Sequence, residues 1–171
     1  IYGFTEQRGD DDTFIRMYPT SKFEITEMIP FLNMCNQSMF FNRAIFENGN
    51  YLNESFKHAM DLEFLVRLAL SGHQFRFIPT LEGFYRVHSE AKGAKQYSIC
   101  MSENVKVYEY VYFHSCASSA LKEKAFISIY GLALDAFAKG YLPEFRVFTK
   151  KLFQIRLLSK QFLIILIRVW F

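Results

Sequence analysis

The sequence predicts an α/β unit built on a small mixed sheet, followed by an α-helical C-terminal extension. Three observations carry that reading. Residues 1–95 are short apolar runs broken by Gly, Asp, Asn and Pro, the pattern of strands and short helices. Residues 96–171 hold three long stretches with helical apolar spacing. The charge changes near the same place: residues 1–90 carry 8 basic and 12 acidic side chains, and residues 91–171 carry 12 basic and 5 acidic. Composition narrows the class. Of 171 residues, 51% are apolar, which excludes a disordered tail, and 22% are charged, which excludes a polytopic membrane protein. Eight Gly and four Pro exclude collagen-like or linker-like sequence.

The elements follow in order. Residues 1–5 and 13–18 read as two strands of a hairpin, joined by a Gly- and Asp-rich turn and closed by Pro19. Asp10, Asp11 and Asp12 suit that turn better than a Mg²⁺ or Mn²⁺ site. Metal-binding acids for a nucleotide stand at the end of a buried strand, and these follow a polar stretch. Residues 24–31 read as a short helix ended near Pro30. Residues 36–41 read as a strand, residues 42–47 as a short helix stopped by Asn48-Gly49, and residues 50–56 as a loop. Residues 58–71 form the best helix of this half. Phe64, Leu65, Leu68 and Ala69 recur at helical spacing, Asp61 and Glu63 sit in the first turn, and Gly72 follows the end. Residues 74–78 read as a strand ended by Pro79, residues 83–88 as another, and residues 89–95 as a loop. Helices are then predicted over 98–114, 120–139 and 143–170, with Gly140 as a stop and Pro143 in a first turn.

The last helix ends in residues 162–171, ten residues of which nine are apolar, interrupted by Arg168. That is short of the roughly 20 needed to span a bilayer. With Lys150, Lys151, Arg156 and Lys160 before it, the run reads as a basic amphipathic helix on a membrane or a partner, or as the start of a span. The basic half implies an anionic neighbour, or simply a solvated helix face. Cys35, Cys100 and Cys116 are odd in number and lack C-x-x-C or zinc spacing, so a reducing cytoplasm is expected, with Cys35 a small buried hydrophobe. No phosphate-binding Gly loop, G-x-S-x-G or H-E-x-x-H occurs. Aromatics are not interleaved with Arg on one strand face, so no nucleic-acid partner is expected.

Three groups of residues bear chemistry. Asp61 opens a helix, where free N–H groups and the dipole hold a carboxylate ionised and able to accept a proton. The same position suits a plain helix cap, with Glu63 as solvated first-turn charge. Arg86 and His88 lie two apart on a strand and so share a face, which could hold a diphosphate or a divalent metal, or simply face water. Gln37 and Ser38, beside Asn36, offer groups that bind a hydroxyl, or buried polar groups satisfied by backbone.

In sequence order the motifs are Tyr2-Gly3, the acidic turn, Cys35-Asn36-Gln37-Ser38-Met39-Phe40-Phe41-Asn42-Arg43, Glu47-Asn48-Gly49-Asn50-Tyr51-Leu52-Asn53-Glu54-Ser55, Ala59-Met60-Asp61-Leu62-Glu63-Phe64-Leu65-Val66-Arg67-Leu68, Ile78-Pro79 and Tyr85-Arg86-Val87-His88. Their order resembles the acceptor-side half of a family-2 glycosyltransferase of the GT-A fold. The resemblance covers residues 1–95; residues 96–171 would be a helical extension of about three helices.

The resemblance implies an inverting transfer from a nucleotide-sugar donor to a carbohydrate or lipid-linked acceptor. Asp61 falls where such enzymes place the catalytic base. Glu63 and Arg67 match the motif's tail and would orient the helix and its loop. Gln37 and Ser38 fall in the acceptor-side strand. Arg86 and His88 fall near the donor diphosphate, with His88 a metal ligand. Met60 stands where many relatives carry an acid, and Asn50 and Asn53 replace a common Gly and Asp. Such enzymes hold Mg²⁺ or Mn²⁺ mainly through an Asp-x-Asp in an N-terminal nucleotide-binding half. The chain opens on Ile1 rather than Met, so it is expected to be a piece of a longer enzyme, inactive alone. It is expected in the cytoplasm, at the inner face of a membrane. The alternative is a non-catalytic module that docks on a membrane or partner through its basic helices.

Overall fold

The computed structural model describes residues 1–29, 31–87 and 96–155. It has a mixed three-stranded sheet, three short to medium helices beside it and three longer helices after it. Strands β1 (Tyr2–Arg8) and β2 (Phe14–Met17) form the predicted hairpin, with Glu6 opposite Met17. Asp11 builds the turn: its Oδ1 accepts from the Thr13 N–H at 3.2 Å and the Thr13 hydroxyl at 2.6 Å. All four residues of β2 are exposed, and its outer edge pairs with no strand among the described residues. Strand β3 (Phe77–Arg86) runs parallel to β1 on the other side, so the order is β2-β1-β3.

Two sequence expectations change here. The strand predicted over 36–41 is a 3-10 turn, Asn36–Ser38, and only Met39 bridges to Tyr2. The Ser38 hydroxyl lies 3.0 Å from the carbonyls of both Gly3 and Cys35, a side-chain bond that favours a turn over a ladder. The separate strands predicted at 74–78 and 83–88 are one strand, with Pro79 inside it. Proline is tolerated because β3 is an edge strand and its register slips there: Tyr2 faces Phe77, but Phe4 faces Leu81. Gly83 permits a close approach, since a Cβ there would stand 2.5 Å from the Gln37 carbonyl oxygen.

Helices α1 (Ile25–Met28) and α2 (Arg43–Glu47) are short, and Asn42 caps α2 through the Ala44 N–H. Helix α3 (Met60–Leu70) buries Leu62, Phe64, Leu65, Val66 and Leu68. Gly72, at φ +82°, ends it in a conformation that costs other residues strain. The extension folds as α4 (Tyr97–Phe113), α5 (Ser119–Ala138) and α6 (Leu142–Ile155). Ser118 caps α5 through the Leu121 N–H, and Lys151–Glu109 and Ser98–Glu144 tie α6 to α4. One buried apolar cluster runs from Tyr2, Met28 and Leu65 through Val105 and Val111 to Phe126 and Phe148. Each such side chain contributes roughly 1.5–3 kcal/mol by leaving water. The helix stop near Pro30, His88, the loop 89–95 and the basic run from residue 156 onward lie outside the described residues.

Candidate functional site

Asp61 stands in the first turn of α3, half-buried. Its Oδ1 accepts from the Leu62 N–H at 2.8 Å. Burial pushes its carboxyl above the usual aspartate value, and the Leu62 and Asp61 N–H groups oppose that only in part. Among the described residues, no cationic side chain pairs with it. Asp61 lines a cavity of about 160 Å³ together with Met39, Phe41, Phe46, Leu52, Phe64 and Leu65, and Asn36 is also in the lining. Phe46 stacks on Phe64 at 6.2 Å, and Phe41 meets the same ring at 5.4 Å. Burial first, then the neighbouring Cys35 and Asp61, pushes the Tyr18 hydroxyl up to about 12. Burial likewise raises the Cys35 thiol, with the Asp61 charge a smaller contribution. The site is thus a half-buried carboxyl among mostly apolar side chains.

Glu63 and Arg67 form a pair one helical turn apart. Arg67 Nε donates to Glu63 Oε1 at 3.0 Å, and its Nη2 donates to the Tyr51 carbonyl at 2.6 Å. The guanidinium therefore fastens the loop that carries Leu52 to the helix that carries Asp61.

The other predicted site residues lie apart from this cavity. Ser38 is buried and spends its hydroxyl on backbone carbonyls. Gln37 is exposed, and its Oε1 accepts from the Cys35 thiol. The amide that lines the cavity is Asn36. Arg86 is exposed at the end of β3, opposite Arg8, and is not part of the cavity wall. His88 lies outside the described residues. Among the described residues, no three His, Cys, Asp or Glu side chains converge as a metal site.

One residue of the site gives no sequence signal. Ala59, the residue before α3, makes no side-chain cap bond. Glu103 of α4, only 5% exposed, supplies one instead. Its Oε2 accepts from the N–H groups of Lys57 at 3.1 Å, His58 at 2.7 Å and Ala59 at 2.9 Å, and its Oε1 takes Lys57 again at 2.9 Å. Burial raises the Glu103 carboxyl, but the three N–H donors and nearby His58 outweigh it and hold it below the usual value. Helix α3 starts at Met60, two residues later than predicted.

No family model, no curated protein and no solved structure matches the chain.

Proposed function

We propose that the chain is the acceptor-side part of an inverting glycosyltransferase, with Asp61 as general base. The observation that carries the reading is the Asp61 carboxylate, half-buried without a cationic partner among the described residues, in the lining of a mostly apolar cavity. In that setting a carboxylate is a stronger base than in water. The acceptor would rest its apolar face on Phe41 and Leu52, with Asn36 holding a neighbouring hydroxyl. Asp61 takes the proton of the reacting hydroxyl as its oxygen bonds to the anomeric carbon of a nucleotide-sugar. The bond from that carbon to the diphosphate breaks, and the nucleoside diphosphate leaves with the electron pair. By resemblance, Arg86 and His88 would face that diphosphate. The cation rests on the resemblance alone, and no step is derived through it.

General-base assistance of this kind is worth roughly 10²–10⁴-fold in rate. Asp61→Asn, in the complete reading frame, is expected to abolish transfer and spare donor binding. Near-normal turnover would remove Asp61 from the role of base.

A second reading is a module that docks on an anionic membrane. Tyr141, Leu142 and Val147 are exposed around α6 beside exposed Lys139, Arg146 and Lys150. No helix among the described residues is long and apolar enough to cross a membrane. Retention on anionic vesicles, lost when Arg146 and Lys150 are neutralised, would support it.

A further inference from the structure

We propose that Glu103 is a positioning residue for Asp61, so that the helical extension sets the geometry of the base. Helix α3 begins at Met60, one residue before Asp61, and its N-cap Ala59 makes no side-chain cap bond. The chain there presents free N–H groups, that of Ala59 buried and those of Lys57 and His58 partly so, and the buried one must find an acceptor. Glu103 gathers three of them, Lys57, His58 and Ala59, from a position 44 residues beyond Ala59. His58 adds a second tie, its Nε2 standing 2.7 Å from Gln96 Oε1 just before α4. The loop into α3 is therefore built on the extension, and the direction of the first turn depends on it. Asp61 rides on that turn.

The link is one of placement more than of charge. Burial lifts the Asp61 carboxyl, and the N–H groups that oppose it are those of Leu62 and Asp61 itself. If the entry to α3 loosens, Asp61 gains water and its burial relaxes. Oε2 alone meets all three N–H groups, so a glutamine oxygen can occupy the same place. An aspartate keeps the charge but withdraws it by one methylene, out of reach of the loop.

The proposal rests on the reading of Asp61 as base, but its test needs no substrate. The Asp61 carboxyl is titrated by ¹³C NMR in the full chain, and amide exchange is followed at residues 57–59. In Glu103→Asp, exchange at these three amides is expected to quicken about tenfold or more, the effect of losing a charge-assisted hydrogen bond. The Asp61 midpoint is expected to fall toward that of an ordinary aspartate. Glu103→Gln is expected to quicken exchange less than Glu103→Asp does and to leave the Asp61 midpoint close to the parent protein. Ile129→Ala, which destabilises the buried core of α5, is expected to move neither. If Glu103→Gln shifts Asp61 and Glu103→Asp does not, the coupling is charge alone and the positioning role is overturned. If neither variant shifts Asp61, Glu103 serves only packing and the proposal is equally overturned. Should Glu103→Asp fail to fold, Glu103→Ala compared with Glu103→Gln decides the point by the same two readouts. Loss of transfer in Asp61→Asn is a separate result, so either idea can fail without the other.

Discussion

The Oε2 atom of Glu103 lies 2.9 Å from the N–H of Ala59, two residues before Asp61. Two acids whose carboxyls shift in opposite directions thus serve the start of α3. Burial holds the Asp61 carboxyl up, while backbone donors hold Glu103 down.

Asp61→Asn is expected to stabilise the fold at neutral pH while it abolishes transfer. The folded state favours the protonated carboxyl, so this group's contribution is full below its unfolded pKa and lost as pH rises through its raised folded pKa. The neutral amide avoids that loss. Thermal melts across pH check the sign: the gain appears above the carboxylate range and vanishes in acid.

Glu103→Gln is expected to behave in the opposite sense. Glu103 titrates low in the folded state, so its stabilisation is present above its unfolded pKa and is lost as pH falls through the folded value. The substitution costs about 1–3 kcal/mol at neutral pH, the scale of hydrogen bonds to a charged group. Denaturant unfolding at neutral and acid pH should show the gap closing in acid.

Arg67→Lys keeps the charge but loses the fork that reaches both Glu63 and the Tyr51 carbonyl. A loss of about 1 kcal/mol is expected. Limited proteolysis should report faster cleavage near residues 51–56.

Leu52→Ala trims an exposed wall of the Asp61 cavity and leaves the core intact. Its expected signature in a transfer assay is a raised acceptor KM with kcat little changed, the mark of lost uniform binding. A fall in kcat alone would place the acceptor elsewhere.

Gly83→Ala pushes a methyl against the Gln37 carbonyl, with a Cβ distance of 2.5 Å before relaxation. Overpacking of this kind costs about 1–3 kcal/mol. Denaturant unfolding checks the cost, and a shifted Gln37 resonance would locate it.

The legible parts of the fold were those fixed locally. The β1–β2 hairpin follows from its Asp-rich turn, and the helices follow from periodicity and from stops at Gly72 and Gly140. The turn at Asn36–Ser38 was not legible, because it depends on a bond from Ser38 to Gly3. Pro79 read as a strand end because a slipped register on an edge strand leaves no mark in the sequence. Asp61 stood out by its place in a helix start. Its surroundings did not, since Met39, Phe46 and Leu52 reach the cavity from the end of a turn, a short helix and a loop. Glu103 was invisible for the same reason: its partners are 44 to 46 residues away.

The bare outer strand β2 has a practical consequence. Phe14, Ile15 and Met17 are each at least 41% exposed, beside an edge free of pairing among the described residues, and Arg16 is the strand's single charge. Natural sheets guard such edges with charges or proline because they stick to one another. Samples of this chain are therefore expected to self-associate as concentration rises. Ile15→Lys is the simplest remedy, and sedimentation across a dilution series would show whether it restores single particles.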